Sequence, residues 1–161
     1  MRISRGLLVI GIALTLGNSA SPQPPNATFS ITVTTEKPDV KAGSDIYLRI
    51  KMTNTSNHDV DCTRVASNGS DRAYLYDVRD ANGTPLEKAV RKHPEIGETF
   101  SSWPCVLKPG ESTSEDENFL SPVYDMTRPG KYSVQVSRYI SGGRKEDGLV
   151  RSNKITITVI P

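Results

Sequence analysis

The sequence predicts an all-β domain, an antiparallel sandwich of about seven or eight strands joined by turns. Near the end of the chain Tyr132, Val134 and Val136, and later Ile155, Ile157 and Val159, alternate with Ser133, Gln135, Thr156 and Thr158. Such period-two runs belong to strands with one buried and one wet face. Turn residues supply a second observation, since Ala42-Gly43, Asn82-Gly83, Pro109-Gly110 and Pro129-Gly130 fall between the runs. The third is that no segment carries the long 3.6-residue period that a βαβ unit needs.

Residues 1–20 open with Arg2 and Arg5, run through an apolar stretch from Gly6 to Gly17, and close on Ser19 and Ala20. They read as a secretory signal peptide, because the stretch is too short for a membrane span of about 20 residues. The expected location is secreted or periplasmic, with no membrane attachment once the segment is removed. Its removal takes away two arginines and no acid, leaving eighteen basic against eighteen acidic side chains. A neutral chain lacks the concentrated positive field of nucleic-acid and membrane-surface binders, so no nucleic-acid partner is expected. Residues 21–28 contain Pro22, Pro24 and Pro25 and are expected to form a disordered or extended leader. Residues 29–161 form the domain; about 140 mature residues suit one monomeric unit with a sizeable core.

Within that domain Phe29, Ile31 and Val33 alternate with Ser30, Thr32 and Thr34 to give the first strand. Ile46, Leu48, Ile50 and Met52 alternate with Tyr47, Arg49 and Lys51, the pattern of a central strand, and polar Asn54 to Asn57 end it. A short strand carrying Cys62 fits Val60 to Val65, and Ser67 to Ser70 turns the chain. Tyr74, Tyr76 and Val78 share a face of the next strand, which Asn82-Gly83 closes as a hairpin. Residues 87–104 show neither period and read as the long irregular connection. Leu107 to Glu111 make a turn, Glu115 to Leu120 a strand, and residues 141–148 a polar loop before the last strand.

These stretches resemble known proteins. Val40 to Ile46 leading into Leu48, Ile50, Met52 and Thr53 to Ser56, with Leu107 to Glu111, Pro129 to Val136 and Ser152 to Val159, resemble the secreted immunoglobulin-like domains of bacteria. The first half also looks like the BsuPI proteinase-inhibitor family, a related sandwich. The resemblance spans residues 29–161 and rests on strand and turn signatures, so it implies a fold rather than an activity. It also implies a tyrosine corner at Tyr132, two residues before the inward Val134, with its hydroxyl bonded to backbone upstream.

Chemistry is sparse. The two cysteines, Cys62 and Cys105, are expected to pair in an exported chain, closing a loop worth on the order of 4 kcal/mol; two buried thiols that never meet are the alternative. The only histidines, His58 and His93, sit in polar loop sequence with no Gly-x-Ser-x-Gly elbow, so no catalytic set is expected. Cys62, Cys105, His58 and His93 lack zinc spacing, and consecutive Glu115, Asp116 and Glu117 point to alternate faces of a strand, so neither metal nor cofactor is expected. Phe100 and the single tryptophan, Trp103, are candidates for contact with a partner or a sugar ring, although Trp103 could instead cover the Cys105 sulfur. Asn26, Asn54, Asn68 and Asn82 each match the glycosylation acceptor pattern. The resulting expectation is a non-catalytic exported domain that binds protein or glycan through residues 88–104 and 141–148. Its alternatives are a proteinase inhibitor of the BsuPI type and a metal or calcium module.

Overall fold

The computed structural model describes residues 22–67, 70–71, 73–88, 101–114, 116–121, 123–140 and 148–161. In chain order its strands are β1 (Phe29–Thr34), β2 (Asp39–Lys41), β3 (Tyr47–Asn54), β4 (Val60–Asp61), β5 (Arg64–Ser67) and β6 (Ser70–Asp71). They continue with β7 (Leu75–Arg79), β8 (Ser101–Trp103), β9 (Val106–Leu107), β10 (Asp116–Phe119), β11 (Gly130–Tyr139) and β12 (Leu149–Ile160). One sheet has the order β1-β3-β10 and the other β2-β12-β11-β7, and every pairing within them is antiparallel except that of β2 with β12. The strands β1, β3 and β10 take the places of A, B and E in an immunoglobulin sandwich, and β7, β11 and β12 those of C, F and G. The fold is therefore an all-β, immunoglobulin-like sandwich.

The core lies between the two sheets because alternation sends every second side chain there. Phe29, Ile31 and Val33 from β1 and Leu48, Ile50 and Met52 from β3 meet Val134 and Val136 from β11 and Ile157 and Val159 from β12, all buried. Each fully buried Val, Leu or Ile contributes roughly 1.5–3 kcal/mol relative to exposure. The expected strands at 29–34, 46–52, 74–78 and in the last forty residues are thus present, with Tyr74 lying just ahead of β7.

One departure falls inside β12. Its buried residues are Val150 and Ser152 at one end but Ile157 and Val159 at the other, so the inward set changes from even to odd numbers. A β-bulge causes it: the β11 partners jump from Gln135↔Lys154 to Ser137↔Arg151, leaving Ser152 and Asn153 opposite Val136. Ile155, expected among the fully buried residues, is only partly buried against the core. The buried Ser152 hydroxyl accepts from Val136 N at 2.9 Å and donates to Asn153 O at 2.6 Å. The Asn153 side chain reaches across to the other sheet, where Nδ2 donates to Val33 O and Oδ1 accepts from Val33 N, both at 2.9 Å. One side-chain amide thus serves as a peptide group at the free side of β1.

Residues 22–28, expected as a disordered or extended leader, make contacts of their own. Gln23 Oε1 accepts from Arg151 N at 3.1 Å, Ala27 N donates to Pro24 O at 3.0 Å, and Pro24 lies beside Gly148. The segment makes these contacts because Gln23 has a strand backbone to pair with and Pro25, whose fixed φ suits the second place of a turn, helps bend the chain between Pro24 and Ala27. The expected 67–70 turn has its centre, residues 68 and 69, outside the described residues, although Ser67 and Ser70 pair across it.

Candidate functional site

Two short antiparallel ladders stand beside the sandwich and share one register. Val60 pairs with Leu107 and Asp61 with Val106; further along, Arg64 pairs with Trp103, Val65 with Ser102 and Ala66 with Ser101. The same register places Cys62 opposite Cys105 and Thr63 opposite Pro104. Cys62 N donates to Cys105 O at 2.9 Å, and the two cysteines form a disulfide with Cα atoms 4.8 Å apart. Hydrogen-bonded and non-hydrogen-bonded pairs alternate along such a ribbon, so Pro104 falls where its missing N–H removes no rung.

The root of the ribbon is held by apolar burial and by one asparagine. Val60 and Leu107 are buried in the core. Asn54, 1% exposed at the end of β3, donates from Nδ2 to His58 O at 2.7 Å and to Leu107 O at 2.9 Å. Its Oδ1 accepts from the Ser56 amide and hydroxyl at 2.8 Å each. Every hydrogen-bonding position of that side chain is used. Asn54 therefore organises the turn and the ribbon's root, and is no glycosylation acceptor in the folded protein; Asn26 and Asn82 are exposed, and Asn68 lies outside the described residues.

The far end is held from below by Arg138 of β11, one of the few buried charged residues at 5% exposure. Its Nη2 donates to Thr63 O at 3.0 Å, and the guanidinium stands 5.6 Å over the Tyr74 ring. This contact joins the ribbon's first strand to the larger sheet. Burial pushes the Asp61 carboxyl up, but hydrogen bonds from the hydroxyl and amide of Thr63 and the charge of Arg138 outweigh it and hold the group below its ordinary 3.8.

Trp103 opens the outer ladder, beyond the disulfide. It lies on β8, 50% exposed, with the Arg64 guanidinium 6.0 Å above its ring. Alternation places it on the ribbon face that carries the disulfide, two cross-strand pairs further out. Val106, 62% exposed, belongs to the opposite face. The ribbon thus displays a large aromatic and a cation just beyond the disulfide of a covalently braced support. The other aromatic expected here, Phe100, lies outside the described residues, as does most of 88–104 and of 141–148. Residues 101–103, expected to be irregular, are strand; their polar Ser-Ser sequence hid the pairing with β5.

Tyr132 lies at the start of β11, and its Oη donates to Arg128 O at 2.7 Å, four residues upstream. It borders a cleft of about 410 Å³ lined also by Asp80, Asn82, Asp125, Arg128 and Lys131. Both carboxylates there are engaged in turns. Asp80 accepts from Asn82 N and Thr84 N at 2.9 Å each, and Asp125 accepts from Thr127 N at 3.2 Å and Thr127 Oγ1 at 2.7 Å. His58 is exposed in its turn, with Nδ1 3.3 Å from Asn57 Oδ1, and His93 is outside the described residues. Among the described residues no three His, Cys, Asp or Glu side chains gather where a metal ion could be held, and no helix is long and apolar enough to cross a membrane.

No protein-family model matches the chain, and no curated protein matches it in sequence. Its fold is similar to that of solved domains at low identity. A CARDB domain from Pyrococcus furiosus, solved in complex with di-metal ions, has a TM-score of 0.42 and 12% identity, over 82% of this chain and 87% of that one. The sporulation control protein Spo0M of Bacillus subtilis has a TM-score of 0.46 and 11% identity; 84% of this chain is covered, and half of Spo0M. The C-terminal domain of wzt has a TM-score of 0.44 and 10% identity, over 86% and 81%. Likeness at this level transfers no activity.

Proposed function

We propose that this chain is a non-catalytic, exported binding domain that holds a protein partner on the Trp103 end of its disulfide-braced ribbon. The observation that carries the reading is the half-exposed Trp103, opposed by Arg64 on a support cross-linked by Cys62–Cys105. Tryptophan and arginine are the side chains most enriched at the energetic centres of protein interfaces. Holding them on a rigid ribbon lowers the ordering cost of association. Export is supported by the disulfide, which belongs to oxidising compartments, together with the character of residues 1–20. The non-catalytic reading is supported by the surroundings of His58, whose ring Nδ1 faces Asn57 Oδ1 within its own turn.

The test is capture of partners from extracellular or envelope fractions by immobilised protein, with Trp103→Ala alongside. Wild type retains a protein that Trp103→Ala loses by at least about tenfold in affinity, the scale of an interface centre. Equal capture by both overturns the assignment. Binding confined to a glycan array would replace the protein partner by a sugar, and stoichiometric inhibition of a protease in a panel would replace binding by the BsuPI-type role.

A further inference from the structure

The disulfide sits at the one interruption of the ribbon. On its root side the ladder has the two pairs of β4 and β9, and on its outer side the three pairs of β5 and β8. Two-stranded ladders of this length are marginal by themselves in water. The two strands are also anchored unequally. The β5 strand has the hold of Arg138 through Thr63 O, whereas among the described residues Trp103 and its strand are held through the ladder, the Arg64 contact and the Cys105 sulfur. The buried core draws most of its residues from β1, β3, β7, β11 and β12 and takes in Val60, Cys62 and Leu107 at the ribbon's root, but no described residue of the outer ladder, β5 and β8, belongs to it.

We propose that Cys62–Cys105 is a redox-sensitive catch on the binding surface: reducing it frees the Trp103 strand while the sandwich stays folded. The inference rests on the reading of the ribbon as that surface. Cys62 is 1% exposed and Cys105 partly exposed, so a dithiol reaches the Cys105 sulfur first. Its thiolate attacks Cys105 Sγ, forming a mixed disulfide as the bond to Cys62 breaks, and Cys62 leaves as a thiolate that takes a proton. The second thiol of the reagent then closes on the first, releasing Cys105 as a thiol. The protein gains two electrons and two protons, and the dithiol becomes a cyclic disulfide.

The chain's single tryptophan makes the release directly observable. The full chain is treated with dithiothreitol in native buffer, thiols are titrated, and two readouts are taken. These are acrylamide quenching of Trp103 and hydrogen exchange of the β5 and β8 amides, with the β11 and β12 amides as internal reference. Two thiols should appear, Trp103 should become more quenchable, and β5 and β8 exchange should quicken by about tenfold or more while the reference amides hold. A Cys62→Ser/Cys105→Ser variant should behave as the reduced protein does. Three results overturn the proposal: no thiols released under native conditions, thiols released with both readouts unchanged, or the reference amides exchanging faster in parallel, which makes the disulfide a global staple. None of these needs a partner, so failure of the catch is distinct from failure of Trp103→Ala to lose capture.

Discussion

At the scale of single residues, the polar side chains that matter most are those whose loss orphans buried backbone. Asn54→Ala takes one donor from Leu107 O and one from His58 O, which keeps the Ser56 hydroxyl, and leaves the Ser56 amide without its acceptor, so it should cost about 2 kcal/mol or more in urea unfolding. Tyr132→Phe keeps the ring and removes one hydroxyl donor to Arg128 O, so about 1 kcal/mol is expected by the same measurement. The ordering of the two variants is the sharper check. A loss for Asn54→Ala no larger than that for Tyr132→Phe would mean that water replaces the amide at the ribbon's root. Tyr132 could be named from sequence, since Pro129-Gly130 and the run after it place a tyrosine at a strand entry. Asn54 could not: its stretch Asn-Thr-Ser reads as a polar loop or an acceptor site, and burial depends on residue 107, far away in sequence.

At the scale of elements, strands were legible wherever one face met the core, because burial writes a period of two into the sequence. A short strand near Val60 to Val65 could be read, and β4 and β5 fall there, but its partner at 101–107 could not. The partner reads Ser101-Ser102-Trp103-Pro104, with no apolar alternation, and what pairs it is a cross-link and a register. The cysteine count pointed to the cross-link, but not to its position midway along a ribbon. The bulge in β12 was hidden for a different reason. Ser152-Asn153 fits an alternating strand on paper, and only the partner strand shows that two residues oppose one. Asn153→Ala tests the element this creates: it leaves the N–H and C=O of fully buried Val33 unpaired, and a loss of about 2–3 kcal/mol is expected. Calorimetry should show the lower Tm, with hydrogen exchange at Val33 accelerated most.

At the scale of the whole molecule, four shifted groups among the described residues bound the pH range of stability. Hydrogen bonds from the hydroxyl and amide of Thr127 hold Asp125 below its ordinary 3.8, against a small opposing push from burial, and Asp61 is likewise depressed. A carboxylate whose folded pKa is depressed contributes stability above its unfolded value and loses it as pH falls through the folded one. Tyr124 is pushed above 10.0 by burial and then by the charge of Asp77. Tyr132 is pushed above 10.0 by burial and then by Asp125 and Asp80, against the pull of Arg128. Groups raised on folding contribute fully below the unfolded pKa and lose that contribution as pH rises through the folded one. Urea midpoints should therefore fall below about pH 3.8 and above about pH 10, with these groups adding no slope between. Tyrosinate absorbance should titrate later in the native protein than in urea; coincident curves would remove the alkaline half of the prediction.

The contact between Asn153 and Val33 has a mechanical meaning. Apolar faces resist being pulled apart, yet they have no direction of their own and would let one sheet slide over the other. A side-chain amide that bonds both groups of one residue in the opposite layer acts as a dowel. It fixes where β12 lies along β1, and with it the offset of the two sheets. Because the dowel sits at the bulge, the irregularity in β12 is the means by which two smooth layers acquire a single alignment.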